Sequence, residues 1–179
     1  MQLVDRALAI LDEHGPRLFA MLVRLTLRAD VAEELMQELF CKLAQDKRCA
    51  SARDPAAYAV RMGMNLAFDY RRAQRRMRTA ETAAAPSAEA MPSPLGQLVQ
   101  REELRRMLDA IDQLPVESRE VIVLRYLERQ DYTTIADQLD KSPHHVRAVC
   151  HRALSRLRDL LGAQRPSKVG AVLETKREH

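Results

Sequence analysis

Apolar residues recur at helical spacing along almost the whole chain, and this pattern restricts the fold more than any other feature of the sequence. Leu35, Leu39 and Leu43 form one such stripe, and the residues from Leu104 to Leu114 form another. β-Branched residues are sparse, and no strict alternation of apolar and polar residues lasts long enough to predict a strand. The pattern therefore predicts an all-α fold.

One segment interrupts this pattern. Residues 79–97 contain Pro86, Pro92 and Pro94 and few side chains that could be buried. Composition of this kind is typical of a linker. We therefore expect two small helical domains joined by a flexible linker. The predicted boundaries are 1–78 for the first domain, 79–100 for the linker, 101–161 for the second domain and 162–179 for a mobile tail.

Start and stop signals divide the first half into helices. Gly15-Pro16 predicts a break between two helices, and Asp30 predicts the N-cap of the next one. The segment Asp46–Asp54 reads as a polar loop. Asp54-Pro55 then predicts the start of a long helix, since aspartate caps well and proline suits the first helical position. Gly63 inside that helix predicts close packing or a weak point.

The second half carries the pattern of a helix-turn-helix. Pro115 ends one helix, and a second is expected from about Val116 to Arg129. Asp131 predicts the cap of a short helix, Asp140-Lys141 a tight turn, and Ser142-Pro143 the start of a last helix. Two helices joined by so short a turn, with the second basic on its outer side, favour a DNA-binding unit.

Charge alternates along the chain in blocks. Residues 30–46 hold five acids against one lysine, whereas residues 61–78 hold six arginines against one acid. Residues 101–140 are acidic again, with ten acids against six arginines, and residues 141–158 hold five basic residues and no acid. A single charged run usually reflects a solvated helix face. Two separate basic blocks favour contact with a polyanion at two places.

The outer side of the last helix is the first candidate binding surface. A major groove admits one helix, whose N-terminal side chains meet base edges while later ones reach phosphates. A soluble helical hairpin with a basic exterior is the alternative interpretation. The candidate residues are Ser142, His144, His145, Arg147, Ala148, His151, Arg152 and Arg156.

The arginine cluster near residue 75 is the second candidate. Tyr58, Phe68 and Tyr70 lie on or near the same predicted helix, and rings beside positive charge can stack on unpaired bases. Phe68 is expected in the core, whereas Tyr58 and Tyr70 can be either core or contact residues. Asn65 can contact a base or join a local hydrogen-bond network.

The acidic helix 32–45 has an outer face of Glu34, Gln37 and Glu38. This face either keeps the protein in solution or docks on another protein, because negative charge does not help the same domain approach DNA.

Other classes of function find little support. The five glycines form no phosphate-cradling motif, and the three cysteines form no disulfide framework. Cys150 lies on the predicted buried stripe, away from the neighbouring histidines, so neither a metal site nor a cofactor is expected. No apolar run approaches the roughly 20 residues that span a bilayer, and no signal peptide is evident. We expect a cytoplasmic protein that is not an enzyme and does not insert into membranes.

Three stretches taken together resemble the bacterial RNA polymerase sigma factors of the sigma-70 family, in the extracytoplasmic-function group. Arg28–Phe40 (RADVAEELMQELF) is similar to the family's helix that docks on the polymerase. Asp54–Tyr58 (DPAAY) and the residues up to the arginine run resemble the helix beside the −10 element. Leu114–Tyr126 and the residues up to Arg158 resemble the −35-binding helix-turn-helix.

The resemblance implies a protein that binds core RNA polymerase and promoter DNA and directs promoter recognition, DNA opening and transcription initiation. It implies that the loop Asp46–Asp54 holds a flipped −10 base, and it raises an anti-sigma factor as a further partner. The polymerase contacts would be Glu34, Leu35, Gln37 and Glu38. The −10 contacts would be Tyr58, Arg61, Asn65, Arg71, Arg72, Arg75 and Arg76, and the −35 contacts the eight residues of the last helix given above.

The sequence departs from the family pattern at three places. Tyr58 stands where the family often has tryptophan, Asp140 and Lys141 occupy a turn that usually holds glycine, and His144 and His145 are unusual. Two alternatives stay open. The chain can be a regulator that binds duplex DNA through its helix-turn-helix without polymerase, or a helical scaffold that binds proteins only.

Overall fold

The computed structural model describes residues 2–81 and 95–163, which form two packed groups of helices. We call α1 to α4 the N-terminal module and α5 to α8 the C-terminal module. The helices are α1 (Gln2–Thr26), α2 (Ala29–Gln45), α3 (Lys47–Ser51), α4 (Pro55–Glu81), α5 (Leu95–Asp112), α6 (Val116–Ile122), α7 (Tyr132–Leu139) and α8 (Pro143–Ala163). The prediction of an all-α fold is confirmed, since these two ranges contain no strand.

The N-terminal module is built on α1, which packs against both α2 and α4. The prediction that Gly15-Pro16 breaks this helix is wrong, because α1 runs through Pro16 without interruption. Ile10, Leu18 and Leu22 lie on the same buried stripe on both sides of the proline. Burial of this stripe outweighs the cost of one proline in the helix interior.

The start of α2 also differs from the expectation. Asp30 is not the N-cap: the helix begins at Ala29, and Arg28 occupies the cap position without a side-chain hydrogen bond. The Asp30 carboxylate instead accepts hydrogen bonds from the Arg28 guanidinium. These bonds lower the pKa of Asp30 to about 2. The ion pair has therefore displaced the capping interaction.

The segment Asp46–Asp54 is more ordered than the predicted polar loop, because it contains α3. Asp46 caps this helix by accepting a hydrogen bond from the backbone N–H of Arg48 at 2.9 Å. The predicted cap of α4 is confirmed: Asp54 Oδ1 accepts from the N–H of Ala57 at 2.9 Å. These two aspartates fix where α4 starts relative to α2.

Gly63 lies where α4 crosses α1, and the prediction of close packing there is confirmed. A Cβ atom at this position would stand 3.2 Å from Met21 Cε and 3.6 Å from Leu39 Cδ2. The absence of a side chain thus lets the three long helices approach each other.

The C-terminal module packs α5 and α6 against α8, and α7 against α8. Its core includes Leu108, Leu124, Ile135, Val146 and Leu157. The helix expected from Val116 to Arg129 is α-helical only as far as Ile122, because Val123–Leu127 forms a π-helical turn. The chain leaves this turn at Arg129, which has a φ of 56°.

Helices extend into both ends of the predicted linker, residues 79–100. Helix α4 extends to Glu81 and α5 begins at Leu95. The remaining part of the predicted linker, residues 82–94, and the predicted tail beyond Ala163 lie outside the described residues.

Candidate nucleic-acid interface

The starts of α7 and α8 are each fixed by a capping side chain. Asp131 Oδ1 accepts from the N–H groups of Thr133 and Thr134, both at 2.9 Å, and this capping lowers the pKa of its carboxyl. Asp140 adopts the left-handed conformation, with a φ of 54° and a ψ of 49°. Ser142 Oγ accepts from the N–H of His145 at 3.2 Å. The predicted caps at Asp131 and Ser142 are therefore confirmed.

The outer side of α8 is open to solvent. Val146, Val149, Cys150, Ala153 and Leu157 form its buried stripe. Of the predicted contact residues, Ala148 and His145 are half-buried and the others are exposed. We call the exposed set the α8 face; it consists of Ser142, His144, Arg147, His151, Arg152 and Arg156.

Two residues that the sequence analysis did not single out hold this face in place. The guanidinium of Arg147 lies over the Tyr132 ring, 5.6 Å from its centroid, and Arg125 lies over the same ring at 4.7 Å. Contacts of this kind are worth about 0.5–1 kcal/mol at exposed sites. Glu117 Oε1 lies 2.8 Å from His145 Nε2 and orients that imidazole.

The N-terminal module carries a cleft of about 590 Å³ between the end of α2, α3 and the first half of α4. The hydroxyl of Tyr58 donates to Asp46 Oδ2 at 2.5 Å. This bond lowers the pKa of Asp46 and raises that of Tyr58. Arg61 and Asn65 follow Tyr58 along the same side of α4. The lining residues are Lys42, Gln45, Asp46, Arg48, Tyr58, Arg61, Met62, Asn65, Leu66 and Asp69.

The acidic side of α2 faces away from the core. Glu34, Gln37 and Glu38 are exposed, and Glu38 pairs with Lys42 at 3.4 Å. Leu35 is only 6% exposed and packs inside the module. We therefore leave Leu35 out of the docking face proposed below.

Three arginines of the predicted −10 set turn toward the C-terminal module. Arg71 Nη2 donates to Asp109 Oδ1 at 2.6 Å, and its Nη1 donates to the carbonyl of Leu25 at 3.2 Å. Arg72 and Arg75 donate to the two carboxylate oxygens of Asp112 at 2.6 Å and 2.9 Å. Burial lowers the pKa of Arg71. Tyr58 and Asn65 instead line the cleft, and Arg61 both lines the cleft and donates to Glu120 Oε1 of the C-terminal module at 3.2 Å.

Comparison with protein families accounts for both modules. The family model of Sigma-70 region 2 matches residues 10–77, and that of Sigma-70 region 4 matches residues 110–159. The chain belongs to the sigma-70 family. The N-terminal module is thus region 2 of a sigma-70 protein, and the C-terminal module is region 4.

Curated relatives agree with this assignment. The probable RNA polymerase sigma factor RfaY of Xanthomonas campestris pv. campestris is 34% identical over 78% of this chain, although the match spans only 36% of that protein. The RNA polymerase sigma factor CarQ of Myxococcus xanthus is 29% identical over 83% of this chain and 85% of its own length. Other matched relatives are named extracytoplasmic-function RNA polymerase sigma factors.

A solved structure supports the fold. CnrH, determined in complex with the cytosolic domain of CnrY, matches with a TM-score of 0.51 and 22% identity over 89% of each chain.

Residues 2–81 and 95–163 contain neither a candidate metal cluster nor a helix that could span a membrane. No three histidine, cysteine or acidic side chains in these ranges are placed to hold a metal ion. Cys150 is buried and accepts a hydrogen bond from the Tyr132 hydroxyl at 3.7 Å. None of the described helices is both long and apolar enough to cross a membrane.

Proposed function

We propose that this chain is a sigma factor that binds core RNA polymerase in the cytoplasm and directs it to promoters. It acts through binding free energy that stabilises opened DNA, without covalent chemistry of its own. The observation that carries the proposal is the presence, in one chain, of a sigma-70 region 2 with an arginine-rich α4 and a region 4 with an exposed α8 face. In this proposal residues 79–100 connect the two regions, and an anti-sigma factor is a further partner.

Each surface has its own role in this proposal. The α8 face enters the major groove of the −35 element, with Ser142, His144 and Arg147 near the bases and Arg152 and Arg156 near the phosphates. The cleft beside Tyr58 receives an unpaired −10 base, since its walls offer a ring, an amide and cations. The exposed Glu34, Gln37 and Glu38 dock on the polymerase, which keeps their negative charge away from DNA.

The proposed contact between the α8 face and DNA is tested with Arg152→Ala in a reconstituted holoenzyme. Removal of one phosphate contact lowers the slope of log affinity against log salt by about 0.9 and reduces run-off transcription. Arg106→Ala is the matched control, because Arg106 is an exposed arginine of α5 that pairs with Glu102. An unchanged slope for Arg152→Ala contradicts the assigned DNA face. Tight sequence-specific binding without polymerase instead favours a stand-alone regulator.

The proposed contact between α2 and the polymerase is tested with a Glu34→Ala, Gln37→Ala, Glu38→Ala triple variant. These side chains are exposed and outside the core, so the variant keeps its helical circular dichroism signal. We expect its affinity for core polymerase to fall at least tenfold, as when several contacts of a docking face are lost together. Retained affinity rejects this face.

A further inference from the structure

The junction between regions 2 and 4 is made of arginines from one region and carboxylates from the other. Arg71 meets Asp109, and both Arg72 and Arg75 meet Asp112. Glu120 accepts from Arg61 Nε at 3.2 Å. Glu128 accepts from two arginines of α1, at 2.9 Å and 2.5 Å; these are Arg17 and Arg24.

Three of the four carboxylates of this junction are buried, which distinguishes them from the carboxylates of ordinary surface ion pairs; the fourth, Asp109, is 23% exposed. The exposed fractions of the side chains are 1% for Asp112, 3% for Glu128 and 7% for Glu120. A buried carboxylate costs several kcal/mol of desolvation unless cations surround it. Exposed pairs, by contrast, contribute about 0–1 kcal/mol. Region 4 therefore needs the arginines of region 2, or water in their place.

Two further contacts hold the regions together. The guanidinium of Arg119 lies over the Phe68 ring, 4.8 Å from its centroid, and also donates to Asp112 Oδ1 at 3.1 Å. Arg101 Nη2 donates to the carbonyl of Leu27 at 2.8 Å. Asp112 thus accepts from arginines of both regions, and these contacts orient the carboxylates toward α4.

The junction occupies groups that promoter DNA would need. Arg61, Arg71, Arg72 and Arg75 belong to the set proposed to contact the −10 region. A carboxylate and a phosphate present the same oxyanion chemistry to a guanidinium. A phosphate that took the same N–H donors would have to displace the carboxylate. The α8 face remains exposed in the same arrangement.

We propose that region 4 is an internal mimic of the DNA backbone, whose carboxylates cover the arginine face of α4 in the free chain. Closure of the junction and contact between these arginines and DNA phosphates then compete. The free chain keeps its −35 surface and the cleft beside Tyr58, but Arg71, Arg72 and Arg75 are engaged by region 4. This inference rests on the proposed function for the identity of the DNA. Opening exchanges carboxylates for phosphates at the same arginines.

The first test uses the full chain without polymerase and a forked oligonucleotide with an unpaired −10 strand. Asp109→Asn with Asp112→Asn removes two junction charges while keeping side-chain size. If the junction is open in about a tenth of wild-type molecules, the variant binds about tenfold more tightly. Its radius of gyration by small-angle scattering increases as well. Glu103→Gln with Asp159→Asn is the matched control, since it removes two exposed acids of region 4 away from the junction.

A second variant covers the case in which the first fails to fold. Arg17→Ala with Arg24→Ala removes two exposed cations that hold Glu128 and that lie outside the proposed DNA contacts. Simple electrostatics predicts weaker DNA binding after the loss of two positive charges, whereas an opened junction predicts tighter binding. Weaker or unchanged binding, or an expanded chain with unchanged affinity, overturns the mimic. If the holoenzyme still transcribes in that case, the inference about region 4 is rejected while the proposed function as a sigma factor stands.

Discussion

Helices α4 and α8 both carry basic blocks, but arginines of α4 pair with acids of region 4, whereas those of α8 are exposed. On α4 the side chain of Arg71 is 7% exposed, and the guanidinium groups of Arg72 and Arg75 donate to Asp112, which is buried. On α8 the side chains of Arg147, Arg152 and Arg156 are exposed. Charge along the sequence is therefore a poor guide to which surface is available.

The difference follows from where the acids lie. Residues 101–140 hold ten acids against six arginines, and four of these acids face region 2. The α8 face is part of the same region 4, and its helix projects its basic side away from that junction. Arg71, Arg72 and Arg75 are thus neutralised within the chain, while the α8 face stays available to an external polyanion.

The largest effect we expect is a difference in the free energy of unfolding between a variant of the α4 arginines and a variant of the α8 arginines. Arg71→Ala removes hydrogen bonds to Asp109 and to the carbonyls of Leu25 and Arg105, and we expect it to lower the free energy of unfolding by about 2–3 kcal/mol. Arg152→Ala changes it by less than about 0.5 kcal/mol, because its side chain is exposed. Urea denaturation measures both values, and similar values for the two variants contradict the contrast between the helices.

The next effect compares a glycine on the packed side of α4 with an exposed glycine near the end of α8. Gly63→Val on α4 places atoms against Met21 and Leu39 and is expected to cost about 1–3 kcal/mol. Gly162→Ala on α8 meets no atom within 4 Å and is expected to stabilise by up to about 1 kcal/mol. Thermal unfolding followed by circular dichroism measures both. A tolerated valine at position 63 shows that α4 is held less tightly than we describe.

The smallest effect concerns the helix-turn-helix and pH. Hydrogen bonds from Thr134 lower the pKa of Asp131 below its usual value. The stabilisation is therefore complete at neutral pH and is lost as the pH falls below about 4 and through the folded pKa. Asp131→Asn keeps a capping acceptor but does not titrate. We expect the difference in melting temperature between wild type and this variant to shrink on acidification, and a constant difference contradicts the capping role.

Local signals in the sequence were sufficient for much of the fold. Asp54, Asp131 and Ser142 cap helices as predicted, because a cap depends on neighbours within three residues. The predictions at Gly15-Pro16 and at Asp30 are wrong for different reasons. Burial of the apolar stripe carries α1 through its proline. At Asp30, the guanidinium of Arg28 binds the carboxylate that was expected to cap the helix.

The candidate site was predictable only in part. The exposed side of α8 follows from helical periodicity, whereas the junction joins residues that are far apart in sequence. Arg17 and Glu128 are separated by 111 positions, and Arg71 and Asp109 by 38. No local pattern encodes such pairs. The excess of acid in residues 101–140 was the one available signal, since so many carboxylates in a DNA-binding domain call for a partner.

The π-helical turn at Val123–Leu127 acts as a one-residue insertion in the helical register. Each residue of an α-helix turns the chain by about 100°, and the wider π-helical turn absorbs the extra residue. Tyr126 lies exposed within this turn, and Glu128, which follows it, reaches the arginines of α1. Loss of one residue from this segment would turn Glu128 by about 100° around the helix axis, so the length of the segment governs whether the two regions can fasten to each other.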